Sequence, residues 1–266
     1  MMKQISTFLG DNRQSRLLNG CNIALTSYAG NTAFEAWHAH ENSGISFLLS
    51  GTHGEDLLGK KHKRVPGDLK FIPAGELHRC SNYAAGTRKI NVDFNESFIR
   101  RMAVTEEQLA HIVPNTITTK FTLLKLYREL DDNPIHTDAS AELLLYTLFS
   151  PVSTSAVKAG KAAPEWATRL KELLHDEWDK PFHLDDLSVR LGVHPVTISR
   201  YFPLYFSSTL GIYLNQIKVD KALGLIKSTP LPLTAIAYKC GFADQAHFTR
   251  TFKSITGCLP KAFRKL

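Results

Sequence analysis

Between about residue 20 and residue 95, apolar positions come in short runs broken by Gly, Pro and Asn. Ile45-Ser46-Phe47-Leu48-Leu49 precedes Gly51, Leu69-Lys70-Phe71-Ile72 precedes Pro73, and Ile90-Asn91-Val92-Asp93-Phe94 follows. Short apolar runs bounded by turn-forming residues predict many short strands. From about 96 the period changes. Phe98, Ile99 and Met102, then Leu123, Leu124, Tyr127 and Leu130, recur at helical spacing, and Leu143, Leu144, Leu145 and Leu148 mark another helix. These helices are expected to close a first domain over 1–150. The segment PVSTSAVKAGKAAP at 151–164 is small, polar and bounded by prolines, the composition of a linker. Beyond it, 165–266 reads as helical nearly to the end, with Gly192, Pro203, Gly211, Pro230, Pro232, Gly241 and Gly257 as punctuation. The expected class is α+β in two domains, strand-rich first and all-α second.

The second domain carries one pattern twice. In the first copy Leu184, Leu187 and Leu191 mark a helix face, Asp185 and Asp186 sit where a first turn favours acid, and Gly192 supplies a turn. A new helix starts near Pro195, with Ile198 and Phe202 on its apolar side and Val196, Ser199 and Arg200 projecting elsewhere. In the second copy Leu233, Ile236, Ala237 and Cys240 form the first helix, Gly241 the turn, and Asp244 an N-cap before inward Phe248 and Phe252. Gln245, Thr249 and Arg250 face out. Between the copies Ile212 to Lys227 predicts a rigid helix of about 24 Å. With helix widths added, that spacer sets two recognition helices about 34 Å apart, one turn of DNA. The alternative is a plain helical bundle with incidental arginines.

Charge sharpens this picture once it is located. The chain has a formal net charge of +7, yet residues 1–157 hold 16 basic and 16 acidic side chains. The whole excess therefore lies beyond 157, where 16 basic residues face 9 acidic ones. A basic domain joined to a neutral one is the footprint of a polyanion binder, although a basic surface can also be solvated decoration.

The region from about 182 to 264 resembles the AraC-type DNA-binding domain, most closely in TAIAYKCGFADQAHFTRTFKSITGCLPKAFRK at 234–265. The resemblance implies two helix-turn-helix units joined by a long helix. It places Val196, Ser199 and Arg200 in the first base-reading helix and Gln245, Ala246, Thr249 and Arg250 in the second. Arg suits guanine and Gln suits adenine, while Val196 and Ala246 offer only apolar contact to a thymine methyl. Lys239, Lys253, Lys261, Arg264 and Lys265 suit phosphates. His194 stands where the family usually has a serine cap, and Pro203 and Ser207 replace the usual lysine and terminal glycine. Pro203 is expected to end or kink the first recognition helix early, leaving the second with more of the specificity.

In the first domain Gly67-x5-Pro73-x-Gly75-x2-His78-x3-Asn82 reproduces the second cupin motif, and His38-x-His40 with Gly51 is similar to part of the first. The resemblance implies a small cupin-like β-barrel of the kind joined to AraC-type readers as a sensor, with Glu35, Trp37, His38, His40, Phe47, Phe71 and His78 as effector-pocket residues. His38, His40 and His78 could also hold a metal, since imidazole suits Zn, Fe, Cu and Ni. The cupin glutamate is missing, however: Gly44 and Ile45 stand in its place, and Glu41 is off register. No cofactor is required by this reading.

The leading function is a sequence-specific, effector-controlled transcription regulator rather than an enzyme. Its expected partners are double-stranded promoter DNA, a small-molecule effector, RNA polymerase and a second copy of the chain, the homodimer forming through the helices after the barrel. A metal-dependent cupin enzyme with a DNA-binding tail and an architectural DNA binder are the competing classes. The start MMKQISTFLGDNRQ is too polar for a signal peptide and no apolar run approaches membrane length, so no membrane contact is expected. Cys21, Cys80, Cys240 and Cys258 lack C-x-x-C spacing and read as reduced thiols in a cytoplasm.

Overall fold

A computed structural model describes residues 3–5, 10–30, 35–102, 104–115, 117–131, 137–149 and 163–266. The strands are β1 (Lys3–Ile5), β2 (Asp11–Leu18), β3 (Cys21–Tyr28), β4 (His38–His40), β5 (Ser43–Ser50), β6 (His53–Leu57), β7 (Lys60–Arg64), β8 (Leu69–Ile72), β9 (Arg79–Ser81) and β10 (Thr87–Phe94). An antiparallel sheet runs β2-β3-β10-β5-β8, and a second runs β7-β6-β9. A parallel pair, β1 with β4, joins the second sheet through a bridge between His38 and His78. The N-terminal domain is thus sheet-rich, as expected. Among the described residues its ladders form two sheets around a cavity and do not close into a ring.

Strand alternation divides the five-stranded sheet into two chemistries. Ile23, Ile45, Phe47, Leu49, Phe71, Ile90, Val92 and Phe94 lie on one face, within the main hydrophobic core. Their alternates Thr26, Ser46, Lys70, Lys89 and Asn91 lie on the other, because successive side chains point to opposite faces. Helices α1 (Glu96–Met102), α2 (Glu106–Asn115), α3 (Ile117–Asp131) and α4 (Thr137–Phe149) cover the apolar face. Phe94 of β10, Phe98 of α1 and Phe149 of α4 meet there, with ring centroids 4.8 Å apart for Phe94–Phe149 and 5.0 Å for Phe98–Phe149. Each fully buried ring of this kind stabilises the fold by about 1.5–3 kcal/mol.

The C-terminal domain is helical: α5 (Glu165–Asp176), α6 (Leu184–Leu191), α7 (Pro195–Phe206), α8 (Leu210–Ser228), α9 (Leu233–Lys239), α10 (Gln245–Thr256) and α11 (Pro260–Lys265). The linker expected at 151–164 lies outside the described residues except for its last two. The first helix-turn-helix unit has its own core of Leu170, Leu174, Leu187, Leu191, Ile198, Phe202, Tyr213 and Ile217. The second does not. Phe248 and Phe252 of α10 and Val219, Ala222, Leu223 and Ile226 of α8 belong to the same cluster as Phe121, Leu123 and Leu124 of α3. Polar ties cross the same seam: Lys120 Nζ pairs with Asp220 at 2.8 Å, Arg128 donates to the Gly257 carbonyl, and Ser50 Oγ donates to the Leu266 carbonyl at 3.2 Å.

Two expectations are corrected. Pro203 does not end α7, which runs on to Phe206 and has 12 residues, as many as α10. Phe202 stacks on Phe206 at 4.1 Å and both lie against Tyr213, so packing holds the last turn despite the missing N–H. Ser207 then adopts φ 52°, the left-handed position that Gly257 takes at φ 80° in the second unit. On α4, the Leu144–Leu148 face is not free for a partner: Leu148 is buried and Leu144 packs on the core. Leu143 and Tyr146 are the exposed pair, at 67% and 45%.

Gly51 and Gly59 separate backbone strain from crowding. Both have positive φ, 75° and 95°, but a Cβ on Gly51 would lie 2.6 Å from the Thr87 Cα, whereas one on Gly59 meets nothing within 4 Å. Gly59→Ala is therefore expected to cost about 1 kcal/mol from backbone strain alone, and Gly51→Ala about 3 kcal/mol. Urea denaturation of the two variants measures the difference, and equal losses would refute it.

Candidate functional site

The cavity lies between the two sheets and has a volume of about 60 Å³. Three histidines converge in it, their nearest ring nitrogens within 4.8 Å of one another. The β4 backbone sends His38 and His40 to one side, and the His38–His78 bridge brings in the third ring. Centroid separations are 4.5 Å for His38–His78, 5.2 Å for His40–His78 and 5.3 Å for His38–His40. His38 Nδ1 lies 2.9 Å from the Ala36 carbonyl and His78 Nδ1 3.0 Å from the Glu76 carbonyl. A carbonyl only accepts, so both Nδ1 atoms carry the proton and Nε2 is the nitrogen left for a ligand. Burial, with repulsion from His78 and His38, holds His40 down to about 4, and burial likewise lowers His78. Both stay uncharged at neutral pH. Three imidazole donors, two of them with protons oriented by backbone carbonyls, fit a divalent transition ion, and no carboxylate joins the cluster among the described residues.

The other cavity walls come from residues that the motifs did not single out. A polar row crosses the inner face of the large sheet: Ser46 Oγ donates to Asn91 Oδ1 at 2.7 Å, and Asn91 Nδ2 donates to Thr26 Oγ1 at 2.9 Å. On β6, Glu55 accepts from Lys70 Nζ at 2.9 Å and from Arg64 Nε at 2.7 Å. Lys89 is only 7% exposed; its Nζ lies 3.3 Å from Tyr83 Oη and over the rings of Tyr83 and Tyr28 at 4.9 and 5.1 Å. His53 stacks on Tyr83 at 5.0 Å, and its Nδ1 has no partner among the described residues. The alternation in Ile90-Asn91-Val92 already puts Lys89 in phase with Asn91, which is the signal that would have found it.

Of the seven effector-pocket residues expected from the sequence, Glu35, His38, His40 and His78 line the cavity. Phe47 and Phe71 do not: they fall on the opposite face of the sheet, inside the hydrophobic core. Trp37 is half-buried under the Arg79 guanidinium, 4.6 Å from its ring centroid, and is not among the lining residues.

In the C-terminal domain the two recognition helices, α7 and α10, are both capped. His194 fills the serine's place, its Nδ1 accepting from the Val196 amide at 3.2 Å, and Asp244 accepts from the His247 amide at 2.6 Å. Val196, Ser199, Arg200, Gln245, Ala246 and Arg250 are exposed and Thr249 is half-buried. Gln245 is engaged, its Oε1 accepting from the Thr234 hydroxyl on α9. Lys239, Lys253, Lys261 and Lys265 are exposed. Arg264 is not free for a phosphate: its Nη2 donates to the Leu231 carbonyl at 2.6 Å, tying α11 to the start of α9.

Comparison with known proteins agrees with this division. The family model of an AraC-like ligand binding domain matches residues 23–149, and that of a helix-turn-helix domain matches 187–266. The chain is similar to the HTH-type transcriptional activator RhaR of Cronobacter sakazakii, with 20% identity over 86% of this chain and 87% of the relative. It is also similar to the activator RhaS of Mannheimia succiniciproducens, with 21% identity over 85% of this chain and 88% of the relative. Among solved structures, ToxT from Vibrio cholerae aligns over 95% of this chain and 98% of its own, with 13% identity and a TM-score of 0.38.

Glu55 gives the cavity an acid-sensitive wall. Burial alone raises its pKa, but Lys70 and Arg64 outweigh it and hold the carboxylate down to about 2, from an ordinary 4.5. A depressed folded-state pKa contributes stability above the unfolded value and loses it as pH falls toward the folded one. Stability is expected to decline between about pH 4.5 and 2, and Glu55→Gln to cost about 3 kcal/mol at pH 7 while flattening that decline. Denaturant melts across this range check it; an unchanged acid limb in the variant would exclude Glu55 as its source.

Proposed function

The chain belongs to the AraC-type transcription regulators, and from that premise we propose that it reads promoter DNA with α7 and α10 under control of a small molecule held in the sheet-domain cavity. The observation that carries the reading is the pair of capped helices, each presenting exposed side chains suited to base edges, in the part of the chain that holds all the excess positive charge. Arg200 and Arg250 are the guanine readers. Val196, Ser199, Gln245, Ala246 and Thr249 complete the base-facing set, with Gln245 released from Thr234 on binding. Lys239, Lys253, Lys261 and Lys265 take phosphates. With α7 as long as α10, both units contribute to specificity. RNA polymerase is the further partner of such a regulator at a promoter.

The effector reading rests on the cavity's imidazoles, buried lysine and polar row, which offer directional hydrogen bonds away from water. A second reading is favoured by the convergence of three ring nitrogens: His38, His40 and His78 would hold a divalent transition ion. Bound there, the ion would supply a fixed positive charge and open coordination positions. We place the protein in the cytoplasm, and the domain limits at 1–150 and 165–266.

Full-length protein titrated against a panel of single-base operator variants at fixed salt tests the DNA assignment. Arg250→Ala is expected to cost about 1–3 kcal/mol on the preferred site and to relax choice at one base step. Lys253→Ala is expected to weaken all sites alike and lower the salt slope by about one unit. Uniform weakening by Arg250→Ala would make Arg250 a phosphate contact instead.

Exposed Leu143 and Tyr146, one helical turn apart on α4, are the proposed seam of a homodimer. The double variant Leu143→Glu, Tyr146→Glu is expected to be a monomer by light scattering at micromolar concentration. A wild type that is itself monomeric, with and without DNA, would refute the seam.

A further inference from the structure

Lysine is almost never fully buried unless paired. Lys89 is buried at 7% exposure inside the cavity, yet among the described residues it makes no ion pair. The carboxylates that share the cavity are engaged elsewhere. Glu55 holds Lys70 and Arg64, Glu35 accepts from the Cys80 amide at 3.2 Å, and Asp68 accepts from the Val65 amide at 3.0 Å. What Lys89 touches is the hydroxyl and face of Tyr83 and the face of Tyr28. Cation–π contacts return only about 0.5–2 kcal/mol, less than the several kcal/mol that desolvating an ammonium costs. Beside it His53 is 6% exposed with an orphaned Nδ1.

A buried lysine met only by a hydroxyl and two ring faces, beside a histidine with an orphaned Nδ1, at one end of the cavity, is the signature of a ligand site. We propose that Lys89 and His53 form the recognition wall for a small anion, a carboxylate or oxoanion of a few non-hydrogen atoms, which is the class of effector this regulator senses. The ammonium pairs with the anion's charge, and His53 donates from Nδ1 to a second oxygen. The small cavity volume, about 60 Å³, favours an anion of few non-hydrogen atoms. Burial and the nearby Lys89 hold His53 down to about 3, so its ring brings no second positive charge. The inference rests on the reading of this cavity as the effector site.

The test titrates the full chain by calorimetry with acetate, oxalate, bicarbonate and inorganic phosphate at fixed ionic strength, each run beside the neutral acetamide or oxamide. At least one anion is expected to bind one to one and the neutral compounds not at all. Lys89→Met is expected to weaken that anion by at least about thirtyfold, with Lys89→Arg retaining most of the affinity. Should Lys89→Met not fold, Lys89→Gln, which keeps a polar group beside the Tyr83 hydroxyl, serves in its place. No anion bound at millimolar concentration, equal binding of a neutral compound, or undiminished binding in the Lys89 variants would each overturn the proposal. So would binding that disappears in EDTA and returns with zinc in variant and wild type alike, because the anion would then sit on a metal at the histidines. Operator affinity is read in parallel. An anion bound through Lys89 that leaves it unchanged would sink the effector reading and keep this site, whereas a neutral compound that shifts it while no anion binds would sink the site and keep the reading.

Discussion

A β-strand sends alternate side chains to opposite faces, and in the sheet β2-β3-β10-β5-β8 that geometry separates an apolar face from a polar one at every position that matters. Ile90, Val92 and Phe94 lie under the helices, while Lys89 and Asn91, their immediate neighbours, line the cavity. A one-residue slip of β10 would bury its polar set in the helical core and expose Phe94 to the cavity. The register is held on both edges, by β3 over all eight residues of β10 and by β5 on the other side. Core, cavity and the seam to the DNA-reading domain all depend on that register.

The seam follows from the same strand. The ladder between β10 and β5 shifts register between Arg88 and Lys89, so that Arg88 pairs with Ser50 while Lys89 pairs with Leu48. Lys89 enters the cavity. Ser50 donates to the Leu266 carbonyl, and burial together with the charge of Arg88 lowers Lys227 of α8 to about 8. Neighbouring residues at one irregularity thus face the cavity and the reading domain. Bulges commonly sit beside sites for this reason, because they re-aim a side chain without changing the rest of the ladder.

The two helix-turn-helix units are not equivalent in their support. The first is built on its own core, whereas the second shares a core with α3 of the sensor domain, reinforced by Lys120–Asp220 and by Arg128 on the Gly257 carbonyl. A change in the position of α3 would act first on α8 and α10. The physical asymmetry between the units is therefore their attachment to the sensor domain and not the length of their recognition helices.

The sequence by itself determined the elements and the class of the protein. Alternation in Ile90–Phe94, the helical spacing of Leu123, Leu124 and Tyr127, the doubled helix-turn-helix pattern and the clustering of charge all depend on local periodicity, which the chain carries without its fold. The histidine triad was legible too, because the resemblance to the cupin motifs implies that His38, His40 and His78 converge, and the His38–His78 bridge brings them together. Phe47 and Phe71 were misread as pocket residues because aromatic character does not reveal which face of the sheet is open. Pro203 was misread because local propensity gives way to the packing of Phe202 and Phe206 on Tyr213. Lys89, His53 and Tyr83 belong to no motif; only the packing of the two sheets brings Lys89 and His53 against the same tyrosine ring. The shared core of α3 with α8 and α10 is likewise a tertiary decision, since an apolar helix face announces that it will be buried but not against which partner.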